Sequence, residues 1–170
     1  MHTAKFQTST ETDPKSELYQ SLTYRLSRVQ AKLNLQATQM LLETSGITLT
    51  QWRVIVLISV AQRTRLSELV RHTAFDKGMI SRNIKKLVEE GIVCAEPDKI
   101  DHRAQVLTLT NKGQEVLKKT TPYSHARQNL LNNALSPTEL NVLHKALDKL
   151  ELAAETRISV LLEKDHDVPV

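Results

Sequence analysis

One ten-residue stretch of the chain concentrates the side chains best suited to bind an anion. From Lys77 to Lys86 the sequence reads KGMISRNIKK, with four basic residues and no acidic one. The other two basic residues are Arg82 and Lys85. Lysine and arginine neutralise phosphate groups, and an arginine can also donate two hydrogen bonds to one guanine. The chemistry available here is therefore the binding of a polyanion, with Arg82 able to read a base.

The same stretch carries an apolar face, which indicates how it folds. The apolar residues recur at helical spacing and are Ile80, Ile84, Leu87 and Val88. At 100° per residue they gather on one side of a helix and the basic residues lie opposite. Asp76 suits the N-cap of this helix, and Gly91 suits the left-handed position just after its end. We predict a helix with a buried back and a basic front.

The segments around this helix complete a DNA-binding arrangement. SELVRHT predicts a short helix capped by Ser67, and RHTAFD predicts a turn, so that the basic helix is the second, recognition helix of a helix-turn-helix. IVCAEP and AQVLTLT alternate as strands on either side of the polar KIDHR, which predicts a hairpin. An arginine at its tip can enter a minor groove. Asp101 is expected to hold Arg103 or a cation of the recognition helix in place.

Ten residues are predicted to contact DNA. On the recognition helix they are Lys77, Gly78, Met79, Ser81, Arg82, Lys85 and Lys86, and on the hairpin tip Lys99, His102 and Arg103. Gly78 belongs to the set because a missing side chain lets the backbone approach a phosphate. The alternatives are a merely solvated charged face on the helix and a surface ion pair between Asp101 and Arg103.

The flanking segments predict long helices. An apolar stripe runs from Leu18 to Met40 and stops at SGIT, and Thr50 is the predicted N-cap of the apolar helix QWRVIVLISVAQ. Thr110 is expected to cap a helix reaching about Leu135, and Ser136-Pro137-Thr138-Glu139 predicts a capping box for a last helix reaching about Glu163. Long apolar stripes extend past the core of a compact winged helix, so we expect a partner subunit to cover them.

Composition bounds the class of protein. The 170 residues carry a net charge of +4, a sequence pI of about 9.2 and a single cysteine, Cys94. We find no signal-peptide pattern, no apolar run long enough to cross a bilayer, and no metal-ligand, P-loop or Rossmann spacing. We therefore expect a cytoplasmic protein that is not an enzyme and needs no metal or cofactor. A metal-responsive regulator and an effector-independent DNA-binding protein stay open as alternatives.

The segment from LSELVRHT to LTLTNKG resembles the winged helix-turn-helix of the MarR family of bacterial transcription regulators. The most specific parts are DKGMISRNIKKLVEEGIV and DHRA followed by LTNKG, and the resemblance covers roughly residues 18–163. It implies a mainly α fold with a small β-hairpin wing. It also implies dimerisation helices over 16–46 and 111–164 and a DNA-binding domain over 47–110. The Thr- and Ser-rich start of the chain, without a hydrophobic period, predicts a flexible tail over 1–15. The expected function is that of a homodimeric repressor on a pseudo-palindromic operator, released by a small-molecule effector.

The resemblance also implies an effector pocket between the dimerisation helices and the winged helix. The residues expected to line it are Tyr24, Arg25, Arg28, Trp52 and Arg53. Aromatic and cationic side chains together suit an aromatic carboxylate. Core packing for Trp52 and a solvated face for the two helix arginines are the alternatives. Two positions depart from the family pattern: the first helix lacks the reactive cysteine of peroxide-sensing members, and Gly78 stands where many members have serine.

Overall fold

The computed structural model describes residues 14–71, 76–99 and 104–155 of the chain. Over these residues the fold is mainly α with one small antiparallel sheet, as predicted. The helices are α1 (Pro14–Gln20), α2 (Leu22–Ser45), α3 (Leu49–Ala61), α4 (Leu66–Arg71), α5 (Lys77–Glu89), α6 (Asn111–Asn132) and α7 (Pro137–Ala154). The strands are β1 (Thr64–Arg65), β2 (Val93–Pro97) and β3 (Gln105–Leu109), in the order β1-β3-β2.

Two compact units divide the chain, one ending at Thr121 and the other beginning at Pro122. The first unit has a hydrophobic core to which α3 contributes the fully buried Val54, Ile55 and Ile58. Helix α5 adds Ile80, Ile84 and Leu87, and the sheet adds Val93 and Leu107. The back of α5 is thus buried as its spacing predicts, except that Val88 at the edge of that face is 38% exposed.

The first predicted helix is broken. Ser21 has extended backbone angles, φ −56° and ψ 125°, so α1 ends at Gln20 and α2 begins at Leu22. The prediction of one continuous helix was wrong at this residue, because the apolar spacing continues across Ser21 while serine favours a helix start. Helix α2 stops where SGIT predicts, at Gly46 in the left-handed conformation, whose N–H donates to the Leu41 carbonyl at 2.9 Å.

Two predicted N-caps were also wrong. Helix α3 is capped by Thr48 rather than Thr50, since the Thr48 hydroxyl accepts from the Gln51 N–H at 3.2 Å and the Gln51 side chain accepts from the Thr48 N–H at 2.8 Å. Ser67 lies inside α4. The start of α4 is held by Glu68, whose Oε2 accepts from the Thr64 hydroxyl at 2.8 Å and from the Arg65 N–H at 2.9 Å.

The predicted hairpin is confirmed and gains a third strand. Strands β2 and β3 pair antiparallel, with Cys94 opposite Thr108. Strand β1 pairs with the other edge of β3, with Thr64 opposite Leu107 and Arg65 opposite Val106. A two-residue strand is too short to show alternation, which is why the sequence did not predict β1.

The last two helices begin as predicted. The Thr110 hydroxyl accepts from the Gly113 N–H at 3.1 Å at the start of α6, which ends at Asn132 rather than near Leu135. In the second unit, Ser136 and Glu139 form the predicted capping box of α7. The predicted continuation of α7 beyond residue 155 lies outside the described residues, as do residues 1–13 of the tail predicted over 1–15, while residues 14 and 15 belong to α1.

Among the described residues no single helix is long and apolar enough to cross a membrane. Helices α2 and α3 meet that test of length and composition only as a pair, and they are bent by 75° where they join.

Candidate nucleic-acid interface

Both ends of α5 are fixed by backbone-directed hydrogen bonds. The Asp76 carboxylate accepts from the Met79 N–H at 3.1 Å, which confirms the predicted N-cap. At the other end Gly91 has φ +68°, its N–H donates to the Val88 carbonyl at 2.9 Å, and the Ile92 N–H donates to the Leu87 carbonyl at 2.8 Å. This is a Schellman motif, which needs glycine because of the left-handed angle. Both ends of α5 are therefore fixed at defined residues.

The polar side of α5 is open. The side chains of Lys77, Met79, Ser81, Arg82, Lys85 and Lys86 are exposed, and Gly78 is half-buried. Met79 is the exposed apolar group among them, at 37%. The Lys85 Nζ atom lies 3.9 Å from Glu89 Oε1, and the Lys86 Nζ atom lies 3.9 Å from Glu90 Oε1. Such long, exposed pairs at i,i+4 are worth about 0.2–0.5 kcal/mol, so they leave both ammonium groups available to an anion.

Gly78 makes room for two neighbouring side chains. A Cβ atom at this position would lie 2.9 Å from the Asp76 Oδ1 atom and 3.6 Å from an Arg82 guanidinium nitrogen. The missing side chain therefore serves the N-cap and lets Arg82 lie back along the first turn. This steric reason stands beside the predicted one, which is close approach of the backbone to a phosphate.

The wing is closed at its root by Asp98. The Asp98 N–H donates to the Ala104 carbonyl at 2.9 Å, across the loop of residues 99–103. The Asp98 side chain is nearly buried and pairs with Arg65 of β1. Lys99 is exposed at the start of the loop. The other predicted tip residues, Asp101, His102 and Arg103, lie outside the described residues.

Sequence reasoning missed the role of Asp98. It expected the supporting carboxylate to be Asp101, three residues further along the chain. No local pattern marks the Asp98 partner, because Arg65 is 33 residues away in the sequence. The position of Asp98 directly after the strand-ending Pro97 is the one signal that places it at the root of the hairpin.

Two grooves separate α5 from the wing. One, of about 430 Å³, has Ser81, Lys85 and Glu89 along its α5 side and an apolar floor that includes Leu66, Ile84 and Leu107. The other, of about 440 Å³, has Lys77 on its α5 side and Arg65, Pro97, Ala104 and Gln105 among its remaining lining residues. Of the predicted contact residues of α5, Lys77, Ser81 and Lys85 therefore border the grooves between this helix and the wing.

The structure brings together part of the predicted effector set. The Arg28 guanidinium carbon lies 5.7 Å from the centroid of the Tyr24 ring and 6.0 Å from that of Tyr19, and the two rings meet edge to face with centroids 5.6 Å apart. Arg25 and Arg28 also line a hollow of about 180 Å³ with Tyr19, Val29 and Lys32. Sequence reasoning did not select Tyr19 or Lys32, although both fall on this cationic stretch of α1 and α2.

The other two predicted effector residues lie elsewhere. Trp52 is 8% exposed and belongs to the hydrophobic core, where the alternative reading had placed it. Arg53 donates from Nη2 to the Asn34 side-chain oxygen at 3.3 Å, which ties α3 to α2.

Cys94 is half-buried in β2, and its thiol lies 3.9 Å from a carboxylate oxygen of Glu96. Within the described ranges, no three His, Cys, Asp or Glu side chains gather as a metal site.

A family model described as the MarR family matches residues 45–104. The chain is 29% identical over 112 residues to the transcriptional activatory protein BadR of Rhodopseudomonas palustris. That match covers 64% of this chain and 63% of BadR, so the chain spans less than two thirds of this relative.

Two solved structures show the same fold. A MarR/EmrR family transcriptional regulator from Acinetobacter is 26% identical, with a TM-score of 0.72 and coverage of 78% of this chain and 94% of that one. BpsR of Bordetella bronchiseptica, whose DNA binding is regulated by 6-hydroxynicotinic acid, is 20% identical, with a TM-score of 0.72 and coverage of 81% and 96%. At 20% identity the likeness to BpsR concerns the fold alone.

Proposed function

Since the chain belongs to the MarR family of transcriptional regulators and has the DNA-binding fold of that family, we propose that it is a homodimeric repressor of a pseudo-palindromic operator. The observation that carries this proposal is the open basic face of α5, with Lys77, Arg82, Lys85 and Lys86 exposed opposite the buried back of the helix. We assign the protein no enzymatic activity and no cofactor, and we place it in the cytoplasm, where the DNA is.

The proposed docking puts α5 in a major groove and the wing in the flanking minor groove. Arg82 reads a base, because a guanidinium can donate two hydrogen bonds to guanine O6 and N7. Lys85 and Lys86 bind phosphates, as do Lys77 and Ser81 at the N-terminal turns, where the helix dipole also favours negative charge. The wing contacts come from Lys99, His102 and Arg103. Two copies of α5 would read half-sites about 10 bp apart.

Exposed apolar side chains support the homodimer. On α1 and α2 they form a stripe of Leu18, Tyr19, Leu22, Leu26 and Val29, each between 39% and 55% exposed. On α7 the exposed large apolar residues include Leu143 and Leu147. Soluble proteins rarely leave long apolar stripes open to water, and a second copy of the chain covers them most simply. The dimerisation helices of the proposal are residues 16–46 and 111–164.

The proposed effector is an aromatic carboxylate. An arginine fork matches a carboxylate, and aromatic rings stack on a planar ligand. The grouping of Arg25, Arg28, Tyr24 and Tyr19 on α1 and α2 supports this ligand class. BpsR, a protein of the same fold, is regulated by an acid of that class. We place the carboxylate of the effector against these arginines, and we leave Trp52 and Arg53 out of the pocket because Trp52 lies in the core and Arg53 bonds Asn34.

The test is a fluorescence-anisotropy titration against the DNA immediately upstream of the protein's own gene, beside a scrambled fragment, at several salt concentrations. A panel of aromatic carboxylates and, separately, divalent metal ions is added. The proposal expects the native fragment to bind about 10³-fold more tightly, with a steep salt slope, and one acid to abolish binding. Release by a metal alone would identify a metal-responsive regulator. Equal binding to both fragments would refute the operator.

Repression and activation are separated by a reporter fused to the same upstream DNA. The name of BadR shows that a relative can activate, so the direction is tested directly. A dimer on an operator that overlaps the promoter excludes polymerase, so deleting the gene is expected to raise reporter output. A fall in output on deletion would make the protein an activator.

A further inference from the structure

We infer that Arg65 is a positioning residue, which sets the place of the wing relative to α5 and thereby lets both reach DNA at once. This inference rests on the proposed function, because it concerns how the DNA-binding surface is assembled. Arg65 lies in β1, outside the recognition helix and outside the wing itself. It is not among the residues that the sequence predicts to contact DNA.

The hold on the wing is an ion pair with two hydrogen bonds. The Arg65 Nε and Nη2 atoms donate to the same Asp98 carboxylate oxygen, at 3.0 and 2.8 Å. The Asp98 side chain is 10% exposed and the Arg65 side chain 36% exposed. A carboxylate so far removed from water needs a charged partner, and removing that partner is strongly unfavourable. Arg65 therefore fixes the position of Asp98 at the root of the wing.

Asp98 also links the two strands of the wing. It directly follows β2, and its backbone N–H donates to the Ala104 carbonyl, which precedes β3. The end of β2 and the start of β3 are thus joined through Asp98 and Ala104. The Asp98 side chain then fixes this junction to β1, so a shift of Asp98 would move the ends of both wing strands.

Arg65 is itself held from the other side. Its N–H donates to Glu68 at the start of α4, at 2.9 Å, and α4 packs against α5. In addition, β1 pairs with β3 through Arg65 and Val106. A short path of bonded and packed groups therefore leads from the wing root through Arg65 and α4 to α5.

The space that this path spans is the groove of about 440 Å³ between Lys77 of α5 and the wing root. If α5 occupies a major groove and the wing the adjacent minor groove, the DNA strand that separates the two grooves must run between α5 and the wing. The width of this gap decides whether both elements can bind together. Arg65 lines the gap and fixes its far wall.

The experiment uses the full chain with Arg65→Gln, Arg65→Lys and Asp98→Asn. Arg63→Gln is the matched control, since Arg63 is exposed two residues away and its loss removes the same charge. The first measurement is amide hydrogen exchange without DNA. Arg65→Gln is expected to speed exchange over residues 93–109 about tenfold or more while leaving 49–61 unchanged. Arg65→Lys is expected to speed exchange over residues 93–109 by a smaller factor, and Arg63→Gln is expected to leave it unchanged.

The second measurement is a double-mutant cycle with Arg103→Ala on operator DNA. In the wild-type background Arg103→Ala is expected to weaken binding strongly. In the Arg65→Gln background the same change should cost about a third of that factor or less, because a displaced wing no longer contributes. If Arg65→Gln does not fold, Arg65→Lys and Asp98→Asn enter the cycle in its place.

Two outcomes overturn the inference. One is unchanged exchange over 93–109 in every variant of the Arg65–Asp98 pair. The other is a full cost of Arg103→Ala in the Arg65→Gln background, and if the salt slope of Arg65→Gln is also lowered by about 1, Arg65 is a phosphate contact instead. Failure of the proposed function looks different: wild-type protein would not prefer its operator, while the exchange result would still decide whether Arg65 holds the wing.

Discussion

The Lys112 ammonium donates a hydrogen bond to the carbonyl oxygen of Glu90, with Nζ and O 2.7 Å apart. It therefore joins the first turn of α6 to the last turn of the recognition helix. Thr110 adds a second link, since its hydroxyl donates to the Gly91 carbonyl at 2.6 Å. The end of α5 is thus held by the segment that starts α6. A displacement of the start of α6 would therefore shift the C-terminal end of α5.

Replacing Gly113 with alanine should destabilise this junction. A methyl group there would overlap the backbone carbonyl oxygen of Ile92 and lie 3.3 Å from Leu109 Cβ. We expect Gly113→Ala to lower the free energy of unfolding by about 1–3 kcal/mol, although glycine to alanine ordinarily favours a helix by up to about 1 kcal/mol. Urea unfolding measures the change. The exposed neighbour Gln114→Ala is the control. A Gly113→Ala urea midpoint equal to that of the wild type would show that the backbone at Ile92 shifts to accommodate the methyl group.

Arg82 and Lys86 should differ in how they affect DNA binding. Arg82→Ala is expected to cost about 1–3 kcal/mol and to relax preference at one operator position, because it removes a base contact. Lys86→Ala should weaken all sequences alike and reduce the salt slope by about 1. Binding to a set of single-base operator variants at several salt concentrations distinguishes the two. Uniform weakening by Arg82→Ala, with base preference intact, would reassign that side chain to a phosphate.

Lowering the pH should reduce the free energy of unfolding of the first unit, because the Glu68 carboxylate becomes protonated. Hydrogen bonds from the Arg65 N–H and then the Thr64 hydroxyl hold the pKa of this carboxyl below its ordinary 4.5. A carboxyl whose pKa is lowered in the folded state stabilises the fold above its unfolded pKa. That contribution is lost as the pH falls from about 4.5 through the lower folded value.

Glu68→Gln should therefore flatten the loss of unfolding free energy as the pH falls below about 4.5. Thr64→Val removes one of the two donors, so its profile should lie between those of Glu68→Gln and the wild type. Urea unfolding at each pH provides the data. Parallel wild-type and Glu68→Gln profiles would remove Glu68 from the acid response.

A charge within the apolar stripe of α2 should dissociate the proposed dimer. Leu26 is 39% and Val29 55% exposed. Covering either side chain removes apolar surface from water, so Leu26→Glu and Val29→Glu are expected to shift the protein to a monomer in sedimentation velocity. Gln30→Glu adds the same charge at a polar, exposed neighbour and should leave the dimer intact. A dimer that survives both stripe variants would place the interface elsewhere.

Local patterns predicted much of this fold. The buried face of α5 follows from Ile80, Ile84 and Leu87, and its ends follow from Asp76 and Gly91, because burial and capping depend on neighbours within a turn or two. The cap of α3 was also present in the sequence. Thr48 has glutamine three residues on, the capping-box spacing, whereas Thr50 merely stands closer to the apolar run.

Features that depend on distant residues were not predictable in this way. The partner of Asp98 is 33 residues away, and strand β1 is defined by its pairing with β3. The effector set shows the same limit. Tyr24 and Arg28 are close in sequence and meet in the structure, but Trp52 was selected for its chemistry and lies in the core. A single sequence specifies local geometry better than which distant side chains meet.

The ion pair that holds the wing root joins Asp98 to Arg65 of β1. The exposed side chains of α5 take no part in it. Anchorage and base reading are therefore carried by separate elements of the chain. After gene duplication, the side chains at positions 77, 81 and 82 can diverge toward a new operator while the wing keeps its place. The same separation suits engineering: libraries confined to the front of α5 would sample new DNA targets on an unchanged scaffold.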